Sequence, residues 1–81
     1  MFNINELETR ISVVKHFLNS EMTQVRVNRL NNKTNLHEIG FSLDTIHEAE
    51  RTGIRNLNEA EYSRIHRVLT SVEARMNLFG N

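Results

Sequence analysis

Residues 57–79 of the chain read LNEAEYSRIHRVLTSVEARMNLF, and the apolar side chains of this stretch recur at steps of three and four residues. This spacing lines up side chains on one face of an α-helix. Asn58 is a typical N-cap residue, and Glu61 follows it at the spacing of a capping box. Leu57 has the spacing that lets it pack against Tyr62. We therefore predict an amphipathic C-terminal helix whose buried seam consists of Tyr62, Ile65, Leu69, Val72, Met76 and Phe79.

The N-terminal stretch follows the same rhythm. Its capping signals are Asn3 and Glu6, so we predict that a long first helix begins near Ile4. Its expected seam is Ile4, Leu7, Ile11, Val14, Leu18 and Val25, widened by Val13, Phe17 and Met22. A stripe of this width suits a helix that contacts two neighbours.

The helical pattern of apolar residues is shorter in the middle of the chain. Leu36, Ile39, Leu43 and Ile46 keep the helical spacing across Gly40. Ser42 is a candidate second cap, so the sequence fits either one kinked helix or two short ones. Gly53, which follows Arg51, predicts a left-handed C-cap with an apolar contact from Ile54. The expected linkers are residues 31–35 and 53–57.

These elements predict an all-α fold in a single small helical domain spanning residues 1–81. The absence of proline and the presence of only three glycines favour long helices. Two arrangements fit: a three-helix bundle, or a helical-hairpin homodimer. We favour the homodimer, because a domain of this size buries only about 60 % of its unfolded surface and gains stability by sharing a core.

One segment, residues 23–29, alternates apolar and β-branched side chains with polar ones. Such alternation is typical of a strand. No other segment offers a strand partner within the chain, so a strand here would pair with its equivalent in a second molecule. We favour a continuing helix and keep the intermolecular strand as the alternative.

Composition argues against catalysis and cofactor binding. The chain contains no cysteine, and its three glycines are isolated, so thiol chemistry and a phosphate-cradling loop are excluded. Acidic residues two positions apart point to different faces of a helix. No two of the four histidines have the four-residue spacing of a helical metal site; they are His16, His37, His47 and His66. We predict no catalytic residue, no metal and no cofactor.

Charge and hydropathy suggest where the protein acts. Ten Lys and Arg balance ten Asp and Glu, and the longest apolar runs are far shorter than the roughly 20 residues of a membrane span. We therefore expect a soluble, unexported, cytoplasmic protein that does not bind membranes.

Local charge is uneven. Residues 22–35 contain no acid, whereas residues 36–50 contain four acids and no Lys or Arg. Opposite patches of this kind can meet within one chain or between two. The predicted partner-binding residues lie in the acid-free stretch: Arg26, Arg29 and Lys33 for electrostatic contacts, and Gln24 and Asn28 for hydrogen bonds.

Part of the chain resembles ribbon-helix-helix DNA-binding proteins. The resemblance runs from Thr23 to about Met76: an alternating segment at Val25–Leu30, a helix ending near Gly53, and a second helix that begins at Asn58. It implies a two-stranded ribbon that reads the major groove, to which Arg, Asn and Gln side chains are suited. The first twenty residues and the zero net charge depart from that family's pattern.

Residues 36–46, LHEIGFSLDTI, resemble the helix-turn-helix segment that follows the wing in MerR-type regulators. The arginine- and tyrosine-bearing recognition portion of that family has no counterpart upstream, so the resemblance does not imply DNA binding. In the simpler interpretation Gly40 turns the chain, Ser42 caps a helix, and Phe41 and Leu43 belong to the core.

The function expected from these observations is that of a non-enzymatic small regulatory protein, of the adaptor, antitoxin-like or phage-type inhibitor kind. It would bind a macromolecular partner, a protein in the first instance, through a helical surface. The alternative is a sequence-specific DNA-binding regulator, ribbon-helix-helix-like or helix-turn-helix-like, that uses the stretch from Gln24 to Arg29.

Overall fold

The computed structural model describes residues 3–28 and 33–79; for residues 25–28, 33–35 and 78–79 it describes the backbone alone. Within these ranges the chain forms three α-helices and contains no strand. They are α1 (Ile4–Asn28), α2 (Lys33–Thr52) and α3 (Glu59–Phe79), with a short 3₁₀ helix (Ile54–Asn56) between α2 and α3. The prediction of an all-α fold is confirmed.

All three helices contribute to one core. The predicted seams are buried over most of their length: Leu7, Ile11, Val14 and Leu18 on α1, Ile39, Leu43 and Ile46 on α2, and Ile65, Leu69 and Val72 on α3. Phe17, Met22, Tyr62 and Met76 pack against this core as half-buried side chains. Each helix therefore contacts both of the others, as the broad stripe on α1 predicts.

Among the side chains that the structure describes, three large apolar ones are exposed. Val13 is 49 % exposed, Leu36 is 40 % exposed and Phe41 is 65 % exposed. The predictions that Val13 widens the seam and that Phe41 is a core residue are therefore wrong. Phe41 lies two positions from both Ile39 and Leu43, which at about 100° per residue places it on the opposite side of α2.

The middle helix is a single helix of 20 residues. It runs through Gly40 without interruption, so the helix does not divide there. Ser42 is buried inside the helix and does not cap it. The predicted linker at residues 31–35 is also too long, because α2 has already begun at Lys33.

The alternating segment is helical over its described part. The backbone of residues 23–28 belongs to α1, so a strand at these positions is wrong and the continuing helix is confirmed. Arg29 lies outside the described residues. The strand that the ribbon-helix-helix resemblance implies is therefore not formed at residues 23–28.

Side chains define the helix starts as predicted. The Asn3 side-chain oxygen accepts a hydrogen bond from the Glu6 amide at 3.1 Å. Asn58 and Glu61 form the reciprocal pair of a capping box: the Asn58 side chain accepts from the Glu61 amide at 2.8 Å, and the Glu61 carboxylate accepts from the Asn58 amide at 3.0 Å.

The turn after α2 depends on a glycine. Gly53 has φ 97° and ψ 124°, so its φ is positive as predicted but its ψ is extended and not left-handed helical. Its amide donates to the Ala49 carbonyl at 3.0 Å. After this turn Ile54 and Leu57 pack against the core, which directs α3 back along α2.

Over the described ranges, no helix combines the length and the apolar character that crossing a membrane requires.

Candidate docking surface

Ion pairs fasten α1 to α3. The Arg10 guanidinium binds both carboxylate oxygens of Glu73, with Nε–Oε2 at 2.9 Å and Nη2–Oε1 at 2.8 Å. Arg10 also lies 3.3 Å from Nδ1 of His66, whose ring stacks on Tyr62 with centroids 6.0 Å apart. A two-point guanidinium–carboxylate contact holds its geometry better than a single contact does. This cluster therefore fixes the position of α3 relative to α1.

The same contact changes the acidity of Glu73. The hydrogen bonds from Arg10 lower the pKa of the Glu73 carboxyl, partial burial acts in the opposite direction, and the charges of Arg10 and His66 lower it further. The carboxylate of Glu73 is thus the form that the folded protein prefers.

This shift predicts a pH-dependent contribution to stability. A carboxyl whose folded pKa lies below its unfolded pKa stabilises the fold above the unfolded value, and the contribution is lost as the pH falls through the folded pKa. Glu73→Gln should lower the free energy of unfolding by about 1 kcal/mol at pH 7, since the pair is partly exposed. The difference from the wild-type chain should shrink at pH 3. Urea denaturation at the two pH values measures it, and an equal loss at both would contradict the assignment.

Two further ion pairs involve α1. Arg75 on α3 donates to Glu21 at 2.8 Å, and Lys15 contacts Glu50 on α2 at 3.0 Å. Helix α1 is therefore tied by charged contacts to both of its neighbours.

The seam between α2 and α3 is different. No ion pair crosses it among residues 33–79, insofar as the structure describes their side chains. An open groove of about 580 Å³ runs along it instead, with Phe41 on one wall and Val68 and Val72 on the other. The two valines are part of the core, whereas Phe41 is the most exposed of the large apolar side chains described. The apolar surface that the chain leaves open at this groove therefore belongs mainly to Phe41.

Along this groove and the cavity next to it, the acids lie on α2 and the arginines lie on α3, except for Arg51 of α2. The exposed Glu38 on α2 and Arg67 on α3 line the groove, and the exposed Asp44 and Glu48 on α2 and Arg64 on α3 line a second cavity that shares Phe41 with it. None of these five side chains forms an ion pair with another described residue. We call the surface formed by these five residues with Phe41, Val68 and Val72 the α2–α3 face.

The partner-binding residues predicted from sequence do not lie on this face as far as the structure describes them. Gln24 is exposed near the end of α1. Arg26 and Asn28 belong to α1 and Lys33 begins α2, but their side chains are outside the description, as is the whole of Arg29. Gln24 is therefore the one residue of the predicted site whose side chain the structure describes.

Sequence reasoning missed the residues of the α2–α3 face. The predicted turn at Gly40 places Phe41 in the core, although a straight helix counted from Ile39 places it outside. Arg64 and Arg67 lie on the polar side of the predicted C-terminal helix. Helical periodicity identifies that side but does not show that the two arginines lie beside α2.

The described side chains do not form a metal-binding site. Within residues 3–28 and 33–79, the described His, Asp and Glu side chains do not form any group of three that could hold an ion.

No family model matches the chain. Neither a curated protein nor a solved structure gives a significant match to it. The α2–α3 face is therefore the feature of the molecule from which a function is inferred.

Proposed function

We propose that this chain is a small, non-enzymatic, cytoplasmic regulatory protein that binds a macromolecular partner, a protein, through the α2–α3 face. One observation carries the proposal: Phe41 stands 65 % exposed beside an apolar groove. Covering a phenylalanine side chain is worth about 1.5 to 3 kcal/mol. A partner that covers Phe41 gains the part of this free energy that belongs to its exposed surface, which folding leaves unused.

The charged rim supports the same proposal. Interface residues that contribute most to affinity are enriched in aromatic side chains and arginine, and the face combines Phe41 with Arg64 and Arg67. Charges that have no partner within the described chain are free to select and orient a binding partner. The face therefore offers an apolar anchor together with electrostatic specificity.

The residues predicted from sequence stay part of the proposal as a second, basic contact region: Gln24, Arg26, Asn28, Arg29 and Lys33. We also propose that the protein is a homodimer, since a three-helix core of this size is small. Adaptor, antitoxin-like and inhibitor roles all fit a protein that acts by occupying a partner.

Phe41→Ala tests the proposed surface. The side chain is exposed, so its removal should leave the melting temperature nearly unchanged while weakening capture of a stoichiometric protein partner from the native cell by about tenfold or more. Val13→Ala is the matched control, because Val13 is also an exposed apolar residue but lies on α1 away from the groove. Quantitative mass spectrometry of the captured proteins reads the result. Equal capture by the wild-type chain and Phe41→Ala would remove the α2–α3 face from the proposal.

Duplex DNA is the alternative partner. The acid-free stretch at residues 22–35 motivates it, and the proposed contact residues are those from Gln24 to Arg29. A salt series distinguishes the two classes, because DNA affinity falls with ionic strength by a logarithmic slope of about 0.9 per phosphate neutralised. An absence of binding at low salt would eliminate this alternative.

A further inference from the structure

We propose that a second copy of this chain covers the α2–α3 face, in a two-fold dimer whose symmetry axis runs parallel to α2 and α3. The inference rests on the proposed function in taking this face as a docking surface, and it adds a regulation: self-association and binding of a protein partner compete for the same residues.

The order of residues along the groove shows that α2 and α3 are antiparallel. At one end, Glu48 and Thr52 lie beside Leu57 and Arg64. Farther along, residues 37–42 lie beside residues 67–75. The numbers fall along α2 as they rise along α3, so height along the groove can be counted from the connection between the two helices.

This count places opposite charges at equal heights. Asp44 lies eight residues before the end of α2 at Thr52, and Arg67 lies eight residues after the start of α3 at Glu59. At a rise of about 1.5 Å per residue both are about 12 Å from the connection. Glu48 and Arg64 likewise lie four and five residues from it.

With these heights, a two-fold axis makes the faces of two copies complementary in charge. A two-fold axis parallel to the helices places α2 of one copy over α3 of the other at unchanged height. The Asp44 carboxylate of each copy then meets the Arg67 guanidinium of its partner, and the same holds for Glu48 and Arg64. An axis across the helices would instead place α2 on α2 and bring acids against acids, which is unfavourable.

The apolar residues obey the same symmetry. Phe41 lies eleven residues before the end of α2, and Val68 and Val72 lie nine and thirteen residues after the start of α3. The Phe41 ring of each copy therefore reaches the partner's groove between the two valines. Because the interface is isologous, each favourable contact occurs twice.

The size of the face sets the expected strength. Both helices are about 30 Å long, and a face two helices wide falls near or below the roughly 800 Å² that each partner buries in a standard complex. We therefore expect a dimer that dissociates in the micromolar range, which a protein partner is able to displace.

Charge reversal in two separate chains tests the arrangement. Asp44→Arg and Arg67→Glu each place like charges at both symmetric contacts, so each variant alone should self-associate at least about tenfold more weakly than the wild-type chain. An equimolar mixture of the two variants restores opposite charges at both contacts and should recover the dimer. Sedimentation velocity from 1 to about 500 µM measures the state of each sample.

The controls separate this inference from the others. Glu8→Arg makes the same change in charge as Asp44→Arg at an exposed site on α1, and it should leave the dimer unchanged; circular dichroism verifies that every variant is helical. A wild-type chain that is monomeric throughout, a mixture that stays monomeric, or variants that dimerise as the wild-type chain does would each overturn the inference. Partner binding is judged separately, by capture with Phe41→Ala: if the chain is monomeric and Phe41→Ala still loses the partner, the homodimer is overturned and the protein-binding role stands.

Discussion

Leu69→Ala is expected to lower the free energy of unfolding by about 2 to 5 kcal/mol. Leu69 is completely buried in the core that α1, α2 and α3 share. Removing three carbon atoms there loses the transfer free energy of the side chain and leaves a cavity that the surrounding helices fill only in part. Because domains of this size are marginally stable, the loss is large enough to unfold the protein at moderate temperature.

Leu36→Ala is the matched control for this prediction. It removes the same atoms from the first turns of α2, where Leu36 is 40 % exposed. Its cost should be below about 1 kcal/mol, since much of that side chain is already in water. Urea denaturation followed by circular dichroism gives both values. If the two substitutions cost the same, Leu69 does not occupy the centre of the core.

Gly53→Ala is the second large effect. With φ 97° and ψ 124°, Gly53 holds a conformation that residues with a Cβ rarely adopt. A Cβ at this position would also lie 3.0 Å from the Asn56 side-chain nitrogen. We expect a loss of about 1 to 3 kcal/mol, measured as a fall in the midpoint of urea denaturation.

Gly40→Ala should have the opposite sign. Gly40 lies inside α2, and a Cβ there meets nothing within 4 Å. Alanine in an open helical position should stabilise the chain by about 0.5 to 1 kcal/mol, because it restricts the unfolded state and favours the helix. Destabilisation by both substitutions would mean that α2 is not a regular helix at Gly40.

The helices and their buried sides were largely predictable. Steps of three and four residues identify the seam of α3 from Ile65 to Val72, and the structure buries it. The capping pair of Asn58 and Glu61 was equally readable, because both partners lie within one helical turn. Patterns of this kind are local, and local patterns determine local structure.

Two of the errors have a common cause. Gly40 and Ser42 are typical of a turn and a cap, and that interpretation places Phe41 in the core and allows two short helices in place of α2. Ile39 and Leu43, which lie before and after Gly40, are buried in the core, and their packing keeps α2 a single helix through Gly40. Tertiary packing outweighs the propensity of single residues, since a glycine inside a helix costs only about 1 kcal/mol.

The sequence by itself determined that this chain forms helices, where α1 and α3 begin, and which side of each helix is apolar. Only the tertiary structure decided that Arg10 meets Glu73, that the seam between α2 and α3 lacks ion pairs in its described part, and that Phe41 stands open beside Arg67. The physical reason is the range of the interactions. Helical periodicity repeats about every 3.6 residues and can be counted along the chain, whereas contacts between helices join residues as far as 63 positions apart and depend on how three rods pack around one core.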